Sequence, residues 1–541
     1  MSVPAIRRPL NPRLADCVFL VAIVFFTAAP HFAHLGFYSD DWANLETFRI
    51  CPNQSTFGLF ACVKENYRLV QFFQSAALYR WFGQNPAGYH AVNSIVFACL
   101  ILLVYAVLSE LSQPRIVCLA VPLIYSLLPH YSTDRFWIAA FQANLCIVLY
   151  LTGVFALCKA RPAEGSWRPL WAAFSAIVLA LSVLAYEVAI PLFALLPFFV
   201  WRRTKARQHK YVLLATILFA LGAVAFKLLT QTRTRFHGRF LAYPGKVLRH
   251  FAVQLLDFNY GYYGLGLPRV AWRAASLHPQ FAGLASCALL AILVFSYVFL
   301  VVRRPSTEWP SQRTWAMTML AGALVYGLAY TPFIADITSD MTTTGVGNRV
   351  AIALALGTAA SLAAIIGLAT GFVPHPGWRS GIFSVCVSVL CVSSFLILNV
   401  VAAYWTKAYG AQQEIIATLA QEFPSLPDNT ALVLDGVCPY LGPGIVFEGS
   451  FDMEGMLRTL YRNHTIRGDI ATPKLEVRAD GLHTLLYDLE SHYPYGYDLI
   501  VYNVRKRTKT RLVDFQTARS YFSGWSPGCP PGREGYGARI F

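Results

Sequence analysis

Residues 16–45 read DCVFLVAIVFFTAAPHFAHLGFYSDDWANL. The first part is an apolar run of the length that crosses a bilayer as a helix. It ends on two adjacent carboxylates, Asp40 and Asp41, followed at once by Trp42. Two neighbouring acids are an odd way to leave a membrane, and the rest of the chain is read outward from them.

The chain has 541 residues, 56% of them hydrophobic and only 13% charged, with a mean hydropathy of +0.48. A soluble protein of this length has no interior large enough for that much apolar surface, so an integral membrane protein is expected. The formal charge of +16 falls in short segments between apolar runs. It therefore reads as a determinant of topology and not as a nucleic-acid surface.

No cleavage-type site follows the first run, which is expected to stay as an anchor. Further runs lie near 91–110, 116–129, 139–158, 169–185, 187–201, 210–230, 280–302, 314–335, 350–372 and 381–405. Together they predict a mainly α, polytopic protein of about eleven transmembrane helices. With Arg7, Arg8 and Arg13 placed in the cytoplasm, the alternate loops SQPR, KARPAEGSWRP, WRRTKARQHK, RRPSTEWPSQR and PHPGWR fall on the same side. Each carries arginine, as the positive-inside bias requires. The expected localisation is a bacterial inner membrane, with the first outer loop (about 31–90) and the C-terminal segment on the periplasmic side.

Eight of the twelve cysteines sit in apolar runs, where cysteine behaves as a small hydrophobe. Cys51, Cys62, Cys438 and Cys529 fall outside under this topology. One disulfide in the first loop and one in the C-terminal segment are expected on that oxidising side. From about 406 the composition changes. TKAYGAQQEIIATLAQEF reads as a helix, and TALVLDGV and YDLIVYNV read as strands. Two domains are expected: 1–405 in the membrane and 406–541 as a small soluble α/β domain, in which no catalytic motif stands out.

The words along the outer face are distinctive. After the acidic pair come NYRLVQFF (66–73), FGQNPAGYHAVN (82–93), LLPHYSTDRFWIAAFQANL (127–145) and LSVLAYEVAIPL (181–192). This order resembles the GT-C superfamily of membrane glycosyltransferases, most of all its protein O-mannosyltransferase branch. The resemblance covers about residues 15–200. Two positions depart from it: Leu69 stands where that family has proline, and Tyr186 where it has lysine.

The resemblance implies inverting transfer of one sugar from a polyprenyl-phosphate carrier to an acceptor hydroxyl on a cell-envelope glycan, a lipid-linked saccharide or a protein. It implies Asp40 as the base that takes the acceptor's proton and Asp41 as its support, although adjacent carboxylates can also share that role. The phosphate leaves as a stable anion and needs cations nearby. Tyr67 and Arg68 occupy the family's Tyr-Arg position. His90 and Asn93 share a helix face and suit either substrate contact or helix packing. Asp134 and Arg135 suit the site or each other, and Glu187 is an acid inside an apolar region, or else a solvated turn.

Outside the resembling region, Arg233, Arg235 and Arg239 gather in an outer loop, and Arg349 follows TTTGVGN at a helix mouth. These arginines suit a lipid phosphate or anionic headgroups. The expected partners are the lipid-linked sugar donor, the acceptor and membrane lipids, with no nucleic acid. No His or Cys spacing of a zinc site is present; Asp40 with Asp41 could hold a divalent cation, but the resemblance implies none, so no cofactor and no metal are expected. Two other classes compete with a transferase. A flippase of lipid-linked sugars should show two related halves, and none is detected. A polysaccharide polymerase or ligase shares the long outer loops but does not account for the acidic pair.

Overall fold

The computed structural model describes residues 11–63, 68–160, 167–201, 261–305, 307–335, 342–486, 489–526 and 528–529, with scattered positions between 214 and 252. Tyr67, Arg233, Arg235, Arg239 and most of the run 210–230 lie outside the described residues.

Six described helices are long and apolar enough to cross a membrane: Pro12–Phe32, Pro86–Glu110, Ile138–Ala160, Leu284–Arg303, Val346–Gly371 and Pro376–Glu422. Shorter apolar helices cover Arg115–Leu127, Pro169–Ala185 and Glu187–Phe199, and Gln312–Ala335 is also helical. The first helix starts on Asn11, whose side chain accepts from the Arg13 N–H, with Pro12 behind it.

The phrase FGQNPAGYH has a local reason of the same kind. Asn85 caps the helix Pro86–Glu110 by accepting from the Ala87 N–H at 3.2 Å, and Pro86 follows as its first residue. A Cβ on Gly88 would lie 2.2 Å from the Phe82 ring. The Tyr89 hydroxyl donates to the Gly83 carbonyl at 2.7 Å. The phrase is thus a folded corner that turns the surface helix Leu69–Phe82 into the span.

One buried charge sits near the start of the first helix. Asp16 is fully buried and accepts from Arg115 Nε at 2.8 Å and Nη2 at 2.7 Å, and from the hydroxyls of Tyr105 and Tyr297, each at 2.8 Å. Four helices are tied at one point by a bidentate, fully bonded carboxylate, the form in which an ion is tolerated inside a bilayer.

The helix Pro376–Glu422 has 47 residues and so runs about 70 Å, more than twice the apolar thickness of a bilayer. It passes without a break through 405 and 406, where the domain boundary is drawn from composition. Its last turns are covered by the C-terminal unit: Gln412 Nε2 donates to the Val446 carbonyl at 2.7 Å, and the Tyr461 hydroxyl donates to the Leu419 carbonyl at 3.1 Å.

That unit is α/β. Strands β1 (Ala431–Asp435), β2 (Tyr440–Leu441), β3 (Gly444–Ile445), β4 (Arg467–Ile470), β5 (Leu475–Arg478), β6 (Gly481–Leu486), β7 (Leu489–Pro494), β8 (Leu499–Asn503) and β9 (Thr508–Arg511) form three sheets among the described residues. In the main sheet β1 lies parallel between β4 and β8, and β9 closes the edge antiparallel. All five residues of β1 are buried, as a central parallel strand requires. Antiparallel β5–β6–β7 forms a separate meander. Cys51 is bonded to Cys62, and Cys438 to Cys529.

Candidate functional site

The helix Asp40–Ile50 begins on the acidic pair itself. Carboxylates in a first turn face the unpaired N–H groups and the positive end of the helix dipole. The residue before them, Ser39, adopts φ 50° and ψ −124°, a conformation that costs about 1–3 kcal/mol for a non-glycine residue. Its surroundings hold it there. Ser39 Oγ donates to Glu448 Oε2 at 2.6 Å, and the Tyr440 hydroxyl donates to Glu448 Oε1.

The two acids divide. Asp40 is exposed, whereas Asp41 is 3% exposed. Asp41 Oδ2 accepts from the Tyr38 N–H at 2.9 Å, and the backbone N–H groups of Ile138 and Ala139 lie near this carboxylate. Burial pushes the Asp41 carboxyl well above the usual carboxylate range. The Tyr38 N–H opposes the shift, the neighbouring Asp40 charge adds to it, and the other two N–H groups oppose it.

The chain that delivers the pair is tied on every side. Tyr38 donates its hydroxyl to the Trp405 carbonyl at 2.9 Å, and its own carbonyl accepts from Trp137 Nε1 at 2.9 Å. His90 Nε2 donates to the Gly36 carbonyl at 3.1 Å. His90 therefore holds the segment that carries the acids.

Asn93 does the same for the next segment. Its Nδ2 donates to the Asp134 carbonyl at 3.0 Å, and Asn144 Nδ2 donates both to that carbonyl, at 2.8 Å, and to Asn93 Oδ1, at 2.9 Å. His90 and Asn93 also line a cavity with Thr27, His31, Arg135 and Asn399, between the helices Pro12–Phe32, Pro86–Glu110 and Pro376–Glu422.

Asp134 and Arg135 part company. Arg135 Nη2 donates to the Ser126 carbonyl, and its guanidinium lies over Phe97 at 4.4 Å and Tyr131 at 5.4 Å. Asp134 is fully buried, and among the described residues neither oxygen of its carboxylate has a hydrogen-bond partner. Burial pushes its carboxyl well above the usual range, opposed first by the Arg349 charge and then by that of Arg135. Arg349 lies over the Trp137 ring at 5.2 Å. Its segment docks on 132–134: Asn348 Oδ1 accepts from the Thr133 N–H at 3.1 Å, Asn348 Nδ2 donates to Ser132 Oγ at 2.9 Å, and Thr133 Oγ1 donates to the Gly345 carbonyl at 2.6 Å. Arg349 and Asp134 are thereby joined across more than 200 residues of sequence, and Trp137 links them to Tyr38 and the acidic pair.

Arg68 and Glu187 form a second group. Arg68 Nη2 lies 3.5 Å from Glu187 Oε2, and its guanidinium lies 4.7 Å from the centre of the Tyr186 ring. Tyr186 thus acts as the platform of an arginine, which sets a positive charge beside Glu187.

The C-terminal unit roofs the acidic pair. A Cβ on Gly455 would meet the Trp42 carbonyl carbon at 2.5 Å, so the helix Ser450–Tyr461 lies directly on the helix Asp40–Ile50. Arg49 Nη2 donates to the Arg458 carbonyl at 2.9 Å. Ser39, Tyr38, Trp137, Asn348 and Glu448 all shape the site, and sequence reading passes over them. Tyr38 and Ser39 border the acids, but Glu448 lies in a segment without any motif.

No family model matches the chain, and no curated protein does. Among solved structures it is similar to ArnT from Cupriavidus metallidurans in the apo state, at 12% identity and a TM-score of 0.38 over 84% of this chain and 85% of that one. The same protein bound to undecaprenyl phosphate matches at 10% identity and a TM-score of 0.35 over the same shares. The apo oligosaccharyltransferase of Archaeoglobus fulgidus matches at 11% identity and a TM-score of 0.39, over 85% of this chain and 64% of that one. Likeness this distant says nothing about what the site of this chain does.

Proposed function

We propose that the protein is an inverting glycosyltransferase of the GT-C type, which moves a sugar from a polyprenyl-phosphate carrier to an acceptor hydroxyl at the outer face of a bacterial inner membrane. The observation that carries this reading is the division of labour in the acidic pair. An exposed Asp40 stands at a helix start beside a buried Asp41 that the Tyr38 N–H holds in place.

In this mechanism Asp40 accepts the proton of the acceptor hydroxyl as its oxygen attacks the anomeric carbon, and the carrier phosphate departs with the bonding electrons. Asp41 fixes the turn that presents Asp40. Arg68 and Arg349 meet the phosphate charge, each already braced on an aromatic ring and facing an acid, Glu187 and Asp134 respectively. His90 and Asn93 position the segments that carry the acids. The C-terminal unit, resting on the first turn beside Asp40, is placed to contact the acceptor.

The test is turnover. Purified protein is incubated with a panel of polyprenyl-phosphate sugars and candidate envelope acceptors, and consumption of the donor is followed. Donor turnover that is lost in Asp40→Asn supports the reading. If every donor is left intact by a folded, lipid-reconstituted protein, the proposal fails.

A further inference from the structure

The meander of the C-terminal unit brings together three side chains whose spacing, D-x2-H-x8-H, means nothing along the sequence. His483 on β6 and His492 on β7 are direct cross-strand partners, with ring centres 4.4 Å apart. Asp480 lies in the turn that leads into β6. Its Oδ1 is 3.1 Å from His483 Nε2 and its Oδ2 is 3.4 Å from His492 Nε2, and one ligand atom from each of the three residues lies within 4.8 Å of the others.

We propose that Asp480, His483 and His492 bind a zinc ion, with a fourth position left to water or another ligand. Three observations carry this. The carboxylate of Asp480 reaches both imidazoles, one oxygen to each, at distances near the edge of a zinc tetrahedron, about 3.3 Å for bonds of about 2.0–2.1 Å. The donor set of two imidazoles and one carboxylate suits Zn²⁺ and not Ca²⁺ or Mg²⁺, which take oxygen ligands.

The third observation is the other nitrogen of His483. Its Nδ1 lies 2.8 Å from Glu490 Oε1, which is the outer carboxylate contact that fixes the tautomer of a metal-bound histidine. A neutral imidazole has a single N–H and an imidazolium has two, so meeting both carboxylates that face His483 takes either a second proton or a metal on one nitrogen. With a metal on Nε2 and the proton on Nδ1, both contacts are satisfied at once. Arg478, 2.7 Å from Glu490 Oε1, completes the outer layer.

The site has a structural consequence. The opposite face of the same hairpin presses on the roof of the acidic pair: Thr484 Oγ1 and the Tyr493 hydroxyl donate to Asp469 Oδ2 at 2.5 and 2.9 Å, and Ser491 Oγ lies 3.1 Å from Ser450 Oγ. Zinc across β6 and β7 would pin the register of this hairpin against the start of the helix Ser450–Tyr461. This inference is independent of the transferase reading.

The experiment uses the full chain in detergent, stripped with chelator and freed of any polyhistidine tag. Zn²⁺ uptake is measured against a chromophoric competitor, and Co²⁺ uptake by its visible spectrum. His492 and Asp480 are partly or well exposed, with side-chain exposures of 42% and 63%, so His492→Ala and Asp480→Asn should fold. About one Zn²⁺ per wild-type chain is expected, with a tetrahedral cobalt spectrum. His492→Ala should lose the site, and Glu490→Gln should weaken it by about 10–100-fold. Zinc should raise the melting temperature of wild type but not of His492→Ala. Equal uptake by wild type, His492→Ala and Asp480→Asn, or none by wild type, overturns the proposal and leaves three groups that only bond each other.

Discussion

The hydroxyl of Ser39 donates to the carboxylate of Glu448 at 2.6 Å, across 409 residues of sequence. One partner precedes the acidic pair, and the other precedes the helix that roofs it. Glu448 is itself held: its N–H and that of Gly449 donate to the two oxygens of buried Asp452, at 2.6 and 3.0 Å. The membrane unit and the soluble unit therefore share a hydrogen-bonded seam at the candidate site.

The seam is measurable. A hydrogen bond to a charged group contributes about 1.5–3 kcal/mol, so Ser39→Ala and Glu448→Gln should each destabilise by that order. The double variant should lose less than the sum, with a coupling of about 1–2 kcal/mol. Melting of the four proteins in one detergent gives the cycle, and additive losses would sink the seam.

Asp40→Asn should lower transfer by about 10²–10⁴-fold, the usual contribution of a positioned base, and leave donor binding nearly unchanged. Asp41→Asn should act through the turn, since its carboxylate accepts the N–H of Tyr38, and so lower turnover together with thermal stability. Donor turnover and melting temperature separate the two variants. Near-normal turnover by Asp40→Asn would remove it as the base.

Arg68→Ala should weaken donor binding more than it slows the chemical step, through loss of a charge-assisted contact. Titration of each variant with a polyprenyl-phosphate sugar shows the split. Unchanged donor affinity in Arg68→Ala would return this arginine to a purely structural pairing with Glu187.

Arg349→Ala should make stability pH-dependent in a defined direction. Burial raises the Asp134 carboxyl, and Arg349 opposes that shift, so removing Arg349 raises it further. A carboxyl raised above its unfolded value of about 3.9 binds its proton more tightly in the folded state. The resulting loss of stability is absent below the unfolded value and grows as pH rises through the raised one. The variant should therefore melt closest to wild type in acid and fall behind as pH increases. Asp134→Asn in the same chain should abolish the difference in slope. A pH-independent loss would show that Arg349 does not face Asp134.

Topology follows from contact. The bonds Trp137–Tyr38, Thr133–Gly345 and Ser39–Glu448 put 36–46, 132–137, 342–349 and the C-terminal unit at one end of the helices. Cysteine introduced at Ser450 should react with an impermeant reagent added from outside. In the same sample, non-reduced digests should show Cys51 joined to Cys62 and Cys438 to Cys529. Labelling of position 450 only after the membrane is permeabilised would invert the orientation.

The sequence by itself determined what depends on neighbours along the chain. Apolar runs declare helices because a spanning segment must satisfy its own backbone. Asn85 and Pro86 declare a helix start, a run such as ALVLD declares a buried strand, and four cysteines outside the apolar runs declare their class. The acidic pair is legible because it interrupts an otherwise apolar pattern. Tertiary structure alone decided which member of the pair is buried, because that depends on the turn Ile138–Ala140, nearly 100 residues away, packing against the helix Asp40–Ile50. It turned Arg135 away from Asp134 and set Arg349 opposite that acid. It also laid Glu448 beside Ser39 and paired His483 with His492 across two strands. These are contacts between side chains that no local period brings together, and only the packing of helices and the register of strands settles them.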